Sequence, residues 1–289
     1  MPKDYDATVK NLVDLSPEDW VSLTGGPRAP VTALDADNSV LLSGAVDKLL
    51  RVHADPEYLL HLDFQAGHDS AQLPRRLKLY NAVQEYRYGL PVLSVAVLLH
   101  PGADSPKVTG LSQRLLPGEA VPYTVLRYGV LRVWQLPVEP LLSGGLGVLA
   151  LAPISNVSEA EVLGVLRRMD ERLQPLEEEN KVEDIWKSTS ILLELRYSQE
   201  FIAMLSDALQ REFEQSAMYR YLLRSGRLAE GRKMLLLVGE KRLGPADVIV
   251  RAAVNAISDP QELERLCERA LDVNSWQELF TPPDAKPQS

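Results

Sequence analysis

The sequence predicts an α/β or α+β domain followed by a region made of helices. The β-like apolar runs and most of the glycines and prolines lie in residues 1–154. Residues 156–280 instead carry the three-to-four-residue apolar spacing of helices, with recognisable helix starts. A chain of 289 residues is long enough for about two domains. We therefore expect one mixed domain, a helical half and a disordered tail at 281–289.

Two strand-like runs open the mixed domain. The apolar run at 40–52 predicts a strand, or a pair of strands broken at Gly44. The run at 58–65 alternates regularly, so its residues divide between the two faces of a strand. One face carries Leu60, Leu62 and Phe64, and the other carries His61, Asp63 and Gln65. We expect the apolar face to be buried, and the side chains of Asp63 and Gln65 to project together from the opposite face.

A helix and further strands complete this domain. Residues 74–88 have the spacing of a helix that ends at Gly89. Its expected buried side carries Leu73, Leu77, Tyr80 and Gln84. The continuous apolar run at 92–100 predicts a strand covered on both faces, and 121–136 predicts one or two strands around Gly129. Strand, strand, helix, strand is an order typical of a mixed sheet with helices packed on it.

The helical half has explicit start and stop signals. They are two capping boxes, one glycine–proline stop, and one aspartate cap with proline at the first helical position. In chain order they lie at Ser158 with Glu161, Gly244 with Pro245, Asp259 with Pro260, and Ser275 with Glu278. Between them we expect one or two long helices over 184–226 and another over 228–243.

The composition excludes several classes of protein. Lys and Arg total 31 and Asp and Glu total 40, so the net charge of −9 excludes a uniformly basic nucleic-acid binder. The single cysteine, Cys267, excludes a disulfide framework and a Cys-rich zinc site. No segment reaches 18 consecutive apolar residues, and the first residues carry no apolar signal-peptide core. We therefore expect a cytoplasmic protein with no membrane segment.

Acidic residues on the two strand-like runs predict a metal site. Asp47 lies on the run before Asp63, and the two carboxylates converge if these runs pair as a hairpin. Asp37, or Asp35, would add a third carboxylate. Converging carboxylates repel one another unless a cation neutralises them, and hard oxygen ligands suit Mg²⁺ or Mn²⁺. The alternative is that each aspartate is a solvated strand or turn residue.

The predicted helix at 74–88 is basic and rich in tyrosine. These residues are Arg75, Arg76, Lys78, Arg87, Tyr80, Tyr86 and Tyr88. Cations in such an arrangement contact phosphates in nucleic-acid-binding proteins. The alternative, which the composition alone favours, is the basic, exposed face of an ordinary amphipathic helix.

These residues lie in stretches that resemble a known family. The runs AVDKLLRV, YLLHLDFQAGHD and LPRRLKLYNAVQEYRYGLPVLSVAVLL, in this order, are similar to the recombination-promoting nuclease/putative transposase branch of the PD-(D/E)XK superfamily. The opening DYDATVK and the run YGVLRVWQLPVEPLLSGGLGVLALAPISN resemble the same branch. The stretch from EGRKMLLLVGEKRLGP to VNSWQELF resembles a small helical domain of unknown function that often ends such proteins. The resemblance covers about residues 4–280 and implies a nuclease-like domain at 1–154, a helical extension at 155–227 and a small helical domain at 228–280.

The resemblance implies a PD-(D/E)XK restriction-endonuclease-like mixed sheet flanked by helices, followed by an all-α region. It also implies divalent-metal-dependent hydrolysis of DNA, linked to recombination or mobile elements. Asp47 matches the central aspartate of the family, Asp63 the acidic residue of its third motif, and Asp37, less closely, its upstream acid. These three are expected to hold Mg²⁺ or Mn²⁺. Gln65 stands where the superfamily often has lysine, although glutamine is common there in this branch, and it is expected to orient the attacking water.

Two further roles follow from the resemblance, and two alternatives remain open. Arg75, Arg76 and Lys78 are expected to contact DNA phosphates or to organise the site, and the helical half to form a homodimer or guide DNA. Gln65, however, lacks the charge of lysine, and Asp63 and Asp37 are one methylene shorter than glutamate. The first alternative is therefore a catalytically decayed protein that keeps the fold and only binds DNA. The second is a protein-interaction role for the acidic helical half.

Overall fold

The computed structural model describes residues 5–34, 48–67, 72–212 and 217–281. The chain forms two compact units, Met1–Glu212 and Phe213–Ser289. The predicted boundaries after residues 154 and 227 do not coincide with this division, because helices that follow residue 154 belong to the first unit. Within the described residues, no helix is both long enough and apolar enough to cross a lipid bilayer.

The first unit is built on a mixed five-stranded sheet, so the predicted α/β class is confirmed. The strands of the unit are, in chain order, β1 (Val31–Leu34), β2 (Lys48–Val52), β3 (Tyr58–Gln65), β4 (Val92–Leu98), β5 (Leu111–Arg114), β6 (Thr124–Arg127) and β7 (Gly129–Arg132). The order across the large sheet is β1-β2-β3-β4-β7. The pairs β1–β2 and β2–β3 are antiparallel, whereas β3–β4 and β4–β7 are parallel. Strands β5 and β6 form a separate antiparallel hairpin.

Helices cover the sheet and continue beyond it. In chain order they are α1 (Tyr5–Leu15), α2 (Pro17–Leu23), α3 (Leu73–Tyr88), α4 (Val138–Ser143), α5 (Leu146–Leu149), α6 (Glu159–Leu173), α7 (Glu179–Arg196) and α8 (Gln199–Glu212). Short 3-10 helices lie at Pro101–Ala103, Val133–Gln135 and Ala152–Ile154. Helix α3 is the crossover between the parallel strands β3 and β4, which a hairpin turn cannot connect.

Every element described in the second unit is a helix. These are α9 (Ala217–Leu243), α10 (Val248–Ala256), α11 (Pro260–Arg269) and α12 (Trp276–Phe280). Their apolar faces share one core, whose fully buried members include Leu235, Val254 and Leu263. The predicted helix over 228–243 is thus the second part of a longer helix.

The alternating run at 58–65 is a strand, as predicted, but the expectation that only its Leu60, Leu62 and Phe64 face is buried was wrong. Seven of its eight residues are buried, His61, Asp63 and Gln65 among them. The reason is that β3 lies inside the sheet with helices on both sides. The Trp20 ring of α2 packs edge-on against Phe64, with ring centroids 5.3 Å apart, while α3 covers the other face.

Helix α3 and strand β4 are confirmed. The buried residues of α3 are the four predicted from its spacing, and Gly89 ends it with a left-handed φ of 65°. Five consecutive residues of β4 are buried. The segment 121–136 contains two strands, β6 and β7, which was one of the two predicted alternatives. These strands do not pair with each other: β6 pairs with β5, and β7 joins the large sheet. Of the run at 40–52, only β2 lies within the described residues.

The range 184–226, predicted to hold one or two long helices, contains α7, α8 and the start of α9 among the described residues. Helix α7 ends at Arg196, because the next residue, Tyr197, has an extended backbone. The hydroxyl of Ser198 then accepts a hydrogen bond from the N–H of Phe201 and starts α8. Residues 213–216, between α8 and α9, lie outside the described residues. The capping box of Ser158 and Glu161 is confirmed.

Candidate active site at Asp63

The carboxylate of Asp63 is the centre of the candidate site. Asp63 lies near the end of β3, where its register partner in β4 is Ala96. Its side chain is only 3% exposed. Transferring a carboxylate from water to a protein interior is costly unless the charge is paired and hydrogen-bonded. Its partners therefore determine what the site does.

Arg76 and Gln65 together satisfy the Asp63 carboxylate. Arg76 donates from Nε to Oδ2 at 3.1 Å and from Nη2 to Oδ1 at 2.8 Å. Gln65 donates from Nε2 to the same Oδ1 at 2.5 Å, and also to the backbone carbonyl of Phe64 at 2.8 Å. The guanidinium balances the charge, and the amide fixes the orientation of the carboxylate.

The local sequence explains why Arg76 reaches Asp63. Pro74 lies in the first turn of α3, where its missing N–H leaves no hydrogen bond unmade. Leu73 and Leu77 are fully buried and pack with Ala96, the neighbour of Asp63 across the sheet. These contacts set the first turn of α3 over the end of β3, which brings Arg76 to the carboxylate.

His61 lies on the same face of β3, two residues before Asp63. Its ring is fully buried, lies 3.3 Å from the Ser94 hydroxyl through Nδ1, and meets the Tyr80 ring edge-on at 5.8 Å. Burial lowers the pKa of His61 to about 4, with a smaller contribution from the Arg76 cation, and the negative charge of Asp63 opposes the shift only in part. The imidazole is therefore neutral at pH 7. Within the described part of the chain, its Nε2 has no hydrogen-bond partner.

The structure brings some of the predicted residues together and separates others. Gln65 and Arg76 meet at Asp63. Lys78 instead donates to the hydroxyl of Thr124 in the β5–β6 hairpin, and Arg75 is exposed. Asp47 and Asp37 lie outside the described residues. The first described residue of β2, Lys48, pairs with Leu62, which directly precedes Asp63.

Asp63 fits a divalent cation as a single ligand. Its oxygens are the hard donors that Mg²⁺ and Mn²⁺ prefer. Among the residues that the structure describes, however, no group of three His, Cys, Asp or Glu side chains could hold a metal ion. The described residues therefore supply one predicted ligand, whose charge is already matched by Arg76. The other two predicted ligands lie outside them.

Sequence reasoning missed one ion pair at the edge of this region. Lys48 donates from Nζ to both carboxylate oxygens of Asp14, each at 2.6 Å, and so joins the end of α1 to the start of β2. The family resemblance implies an acidic residue near the first helix, and that signal could have drawn attention to Asp14. The pairing of Asp63 with Arg76 was missed as well, since it depends on how α3 packs.

No family model matches this chain, no curated protein matches it, and no solved structure matches it.

Proposed function

We propose that this protein is a divalent-metal-dependent DNA endonuclease that serves recombination or mobile-element movement. One observation carries the proposal: a carboxylate inside the sheet, at Asp63, is oriented by Gln65 and charge-balanced by Arg76. Buried charges held by specific partners concentrate at functional sites. The family resemblance assigns the same two strand positions, Asp63 and Gln65, to its third motif. A mixed sheet flanked by helices, with a helical second unit, agrees with the PD-(D/E)XK restriction-endonuclease-like fold included in this proposal.

In this proposal, Asp47, Asp63 and Asp37 hold Mg²⁺ or Mn²⁺. When bound, such an ion polarises a phosphodiester and lowers the pKa of a bound water. Gln65 uses its amide N–H groups on Asp63 and on the Phe64 carbonyl, so its amide oxygen is the atom that accepts a hydrogen bond from the attacking water. Arg76 balances the carboxylate, and its planar fork of donors also matches a phosphate.

Nicking of a supercoiled plasmid tests this proposal. We expect wild type to nick in Mg²⁺ or Mn²⁺, EDTA to abolish nicking, and Asp63→Asn to be inactive because it loses the ligand charge. Asp184→Asn, at an exposed position of α7, is the matched control and should nick like wild type. Equal nicking by wild type and Asp63→Asn, or none by wild type, would overturn the proposal.

One observation favours a second function, a DNA-binding protein that keeps the fold without turnover. Arg76 already neutralises Asp63, and among the described residues no group of three His, Cys, Asp or Glu side chains could hold a cation. This function predicts salt-sensitive DNA binding with no cleavage in Mg²⁺, Mn²⁺ or Ca²⁺. Metal-dependent nicking that disappears in Asp63→Asn would exclude it.

A homodimer through the helical half stays a prediction, which sedimentation of the full chain tests.

A further inference from the structure

Positive charge is concentrated in one stretch of this acidic chain. Between residues 72 and 132, Lys and Arg number eight and Asp and Glu number three, although the whole chain has a net charge of −9. This stretch contains α3 and the β5–β6 hairpin. A local basic surface on an acidic protein is the electrostatic signature of contact with a polyanion.

The hairpin lies beside the end of the sheet that carries Asp63. Leu126 of β6 packs in one cluster with Leu77 of α3 and with Ala96 and Leu98 of β4. Ala96 and Leu98 are the register partners of Asp63 and Gln65. The first half of α3 and the hairpin therefore flank the candidate active site.

Arg75 of α3 and Arg114 of β5 are exposed arginines, and no carboxylate among the residues that the structure describes pairs with either. Elsewhere in the same unit, Arg51, Arg132 and Arg168 each pair with a carboxylate. The charges of Arg75 and Arg114 thus remain available to a ligand.

Lys78 and Tyr123 join the two elements. Lys78 donates to the Thr124 hydroxyl, and its ammonium lies 5.8 Å from the centroid of the Tyr123 ring. Thr124 is the register partner of Arg114, so Arg114 lies on the hairpin directly opposite the residue that Lys78 contacts. Tyr123 is 57% exposed. Exposed aromatic rings beside cations are the surfaces on which unpaired nucleic-acid bases stack.

We propose that the α3–hairpin surface, formed by Arg75, Lys78, Arg114 and Tyr123, binds single-stranded DNA. Its cations contact the phosphates, and Tyr123 stacks on a base. A duplex keeps its bases stacked internally and offers this surface only phosphates, so single strands bind more tightly. The inference rests on the proposed function and names the form of DNA that is held next to Asp63.

Fluorescence anisotropy of a labelled oligothymidine tests the surface without cleavage, because the assay contains EDTA. Arg75→Gln with Arg114→Gln should weaken binding at least tenfold and reduce the slope of log affinity against log salt by about 0.7 for each lost phosphate contact. Arg28→Gln with Lys187→Gln makes the same change of charge at two other exposed positions and should bind like wild type. All four side chains lie outside the core, so the fold should be unaffected.

Substitution of Tyr123 gives a second, independent test of the proposed surface. Tyr123→Phe keeps the aromatic face and should bind like wild type, whereas Tyr123→Ala should weaken binding about tenfold. An unchanged affinity of the double arginine variant, an unchanged affinity of Tyr123→Ala, or equal affinity for a duplex of the same length would overturn the proposal. If the surface instead binds a protein partner, both the double arginine variant and Tyr123→Ala should keep the DNA affinity of wild type.

The two proposals fail in different ways. If wild type binds the oligothymidine as expected but never nicks a plasmid, the endonuclease fails and the binding surface stands. If wild type nicks but the arginine and Tyr123→Ala variants bind normally, the surface fails and the endonuclease stands.

Discussion

The guanidinium of Arg76 donates a hydrogen bond from Nη2 to Oδ1 of Asp63, 2.8 Å away and 13 residues earlier in the chain. The carboxylate side chain is 3% exposed and the arginine side chain 28%. This ion pair links the first turn of α3 to β3, an interior strand of the sheet. It also means that the negative charge of Asp63 is balanced by Arg76 in the absence of a ligand.

Removing the arginine should leave Asp63 as a buried charge held by Gln65 alone. We expect Arg76→Met to lower the free energy of unfolding by about 3 kcal/mol, as for other buried pairs that lose one partner. Urea denaturation measures the loss. Arg75→Met, at the exposed neighbouring position, should stay within about 0.5 kcal/mol of wild type. Adding Asp63→Asn to Arg76→Met should restore much of the stability, and a single variant as stable as wild type would contradict the role assigned to the pair.

His61 should make stability depend on pH. Its pKa is about 4 in the fold and ordinarily 6.5, so between these values the unfolded chain binds a proton that the folded protein does not. The free energy of unfolding should therefore fall as pH falls through this window, by up to about 1.4 kcal/mol per pH unit, and this contribution should be constant above pH 6.5.

Urea titrations at several pH values between 7 and 5 test this dependence. His61→Gln should remove that part of the decline. His53→Gln, at a partly exposed histidine, should retain it. A His61→Gln profile parallel to that of wild type would show that the imidazole does not stay neutral in the fold.

Two glycines of α9 should respond to alanine in opposite directions. A Cβ at Gly239 would overlap the ring of Trp276, which is held by a 3.0 Å hydrogen bond from its Nε1 to the Gly244 carbonyl. At Gly226 nothing lies within 4 Å of the added carbon. Gly226→Ala should stabilise the helix by about 0.5–1 kcal/mol, whereas Gly239→Ala should destabilise it by about 1–3 kcal/mol.

Hydrogen exchange of the α9 amides in the full chain measures both effects locally. Slower exchange in Gly226→Ala and faster exchange in Gly239→Ala is the expected pair of results. Slower exchange in both variants would mean that the Trp276 ring can move aside without any loss of helix stability.

The aspartate cap of α11 should be worth about 1 kcal/mol. Asp259 accepts a hydrogen bond at its Oδ1 from the N–H of Gln261, 3.0 Å away. Asp259→Ala should lose this bond, and Asp259→Asn should keep it, because asparagine caps helices about as well. Hydrogen exchange of the first α11 amides should therefore quicken in the alanine variant alone. Equal protection in both variants would contradict the capping role.

Local sequence patterns were sufficient for much of the fold. The alternation at 58–65 predicted β3, the spacing at 74–88 predicted α3 with its four buried residues, and Gly89 marked the end of that helix. Ser158 with Glu161 predicted the start of α6. These predictions succeed because strand alternation, helical spacing and capping are properties of neighbouring residues.

The same patterns were misleading where another element changed the outcome. The polar face of β3 is buried because α3 covers it, and nothing within 58–65 signals that cover. The Ser275 and Glu278 box is only half formed. Ser275 accepts the Glu278 N–H, but the Glu278 carboxylate accepts from the N–H of Asn274.

The candidate site shows the same division. Sequence alone selected Asp63 and Gln65, because residues two apart on a strand share a face. The partnership of Asp63 with Arg76, and that of Lys78 with Thr124 across 46 positions, came only from packing. Periodicity states which side of one element is apolar but not which element will cover it. Those pairings depend on the strand order β1-β2-β3-β4-β7 and on where α3 packs. Both are determined by contacts between residues that are far apart in the sequence.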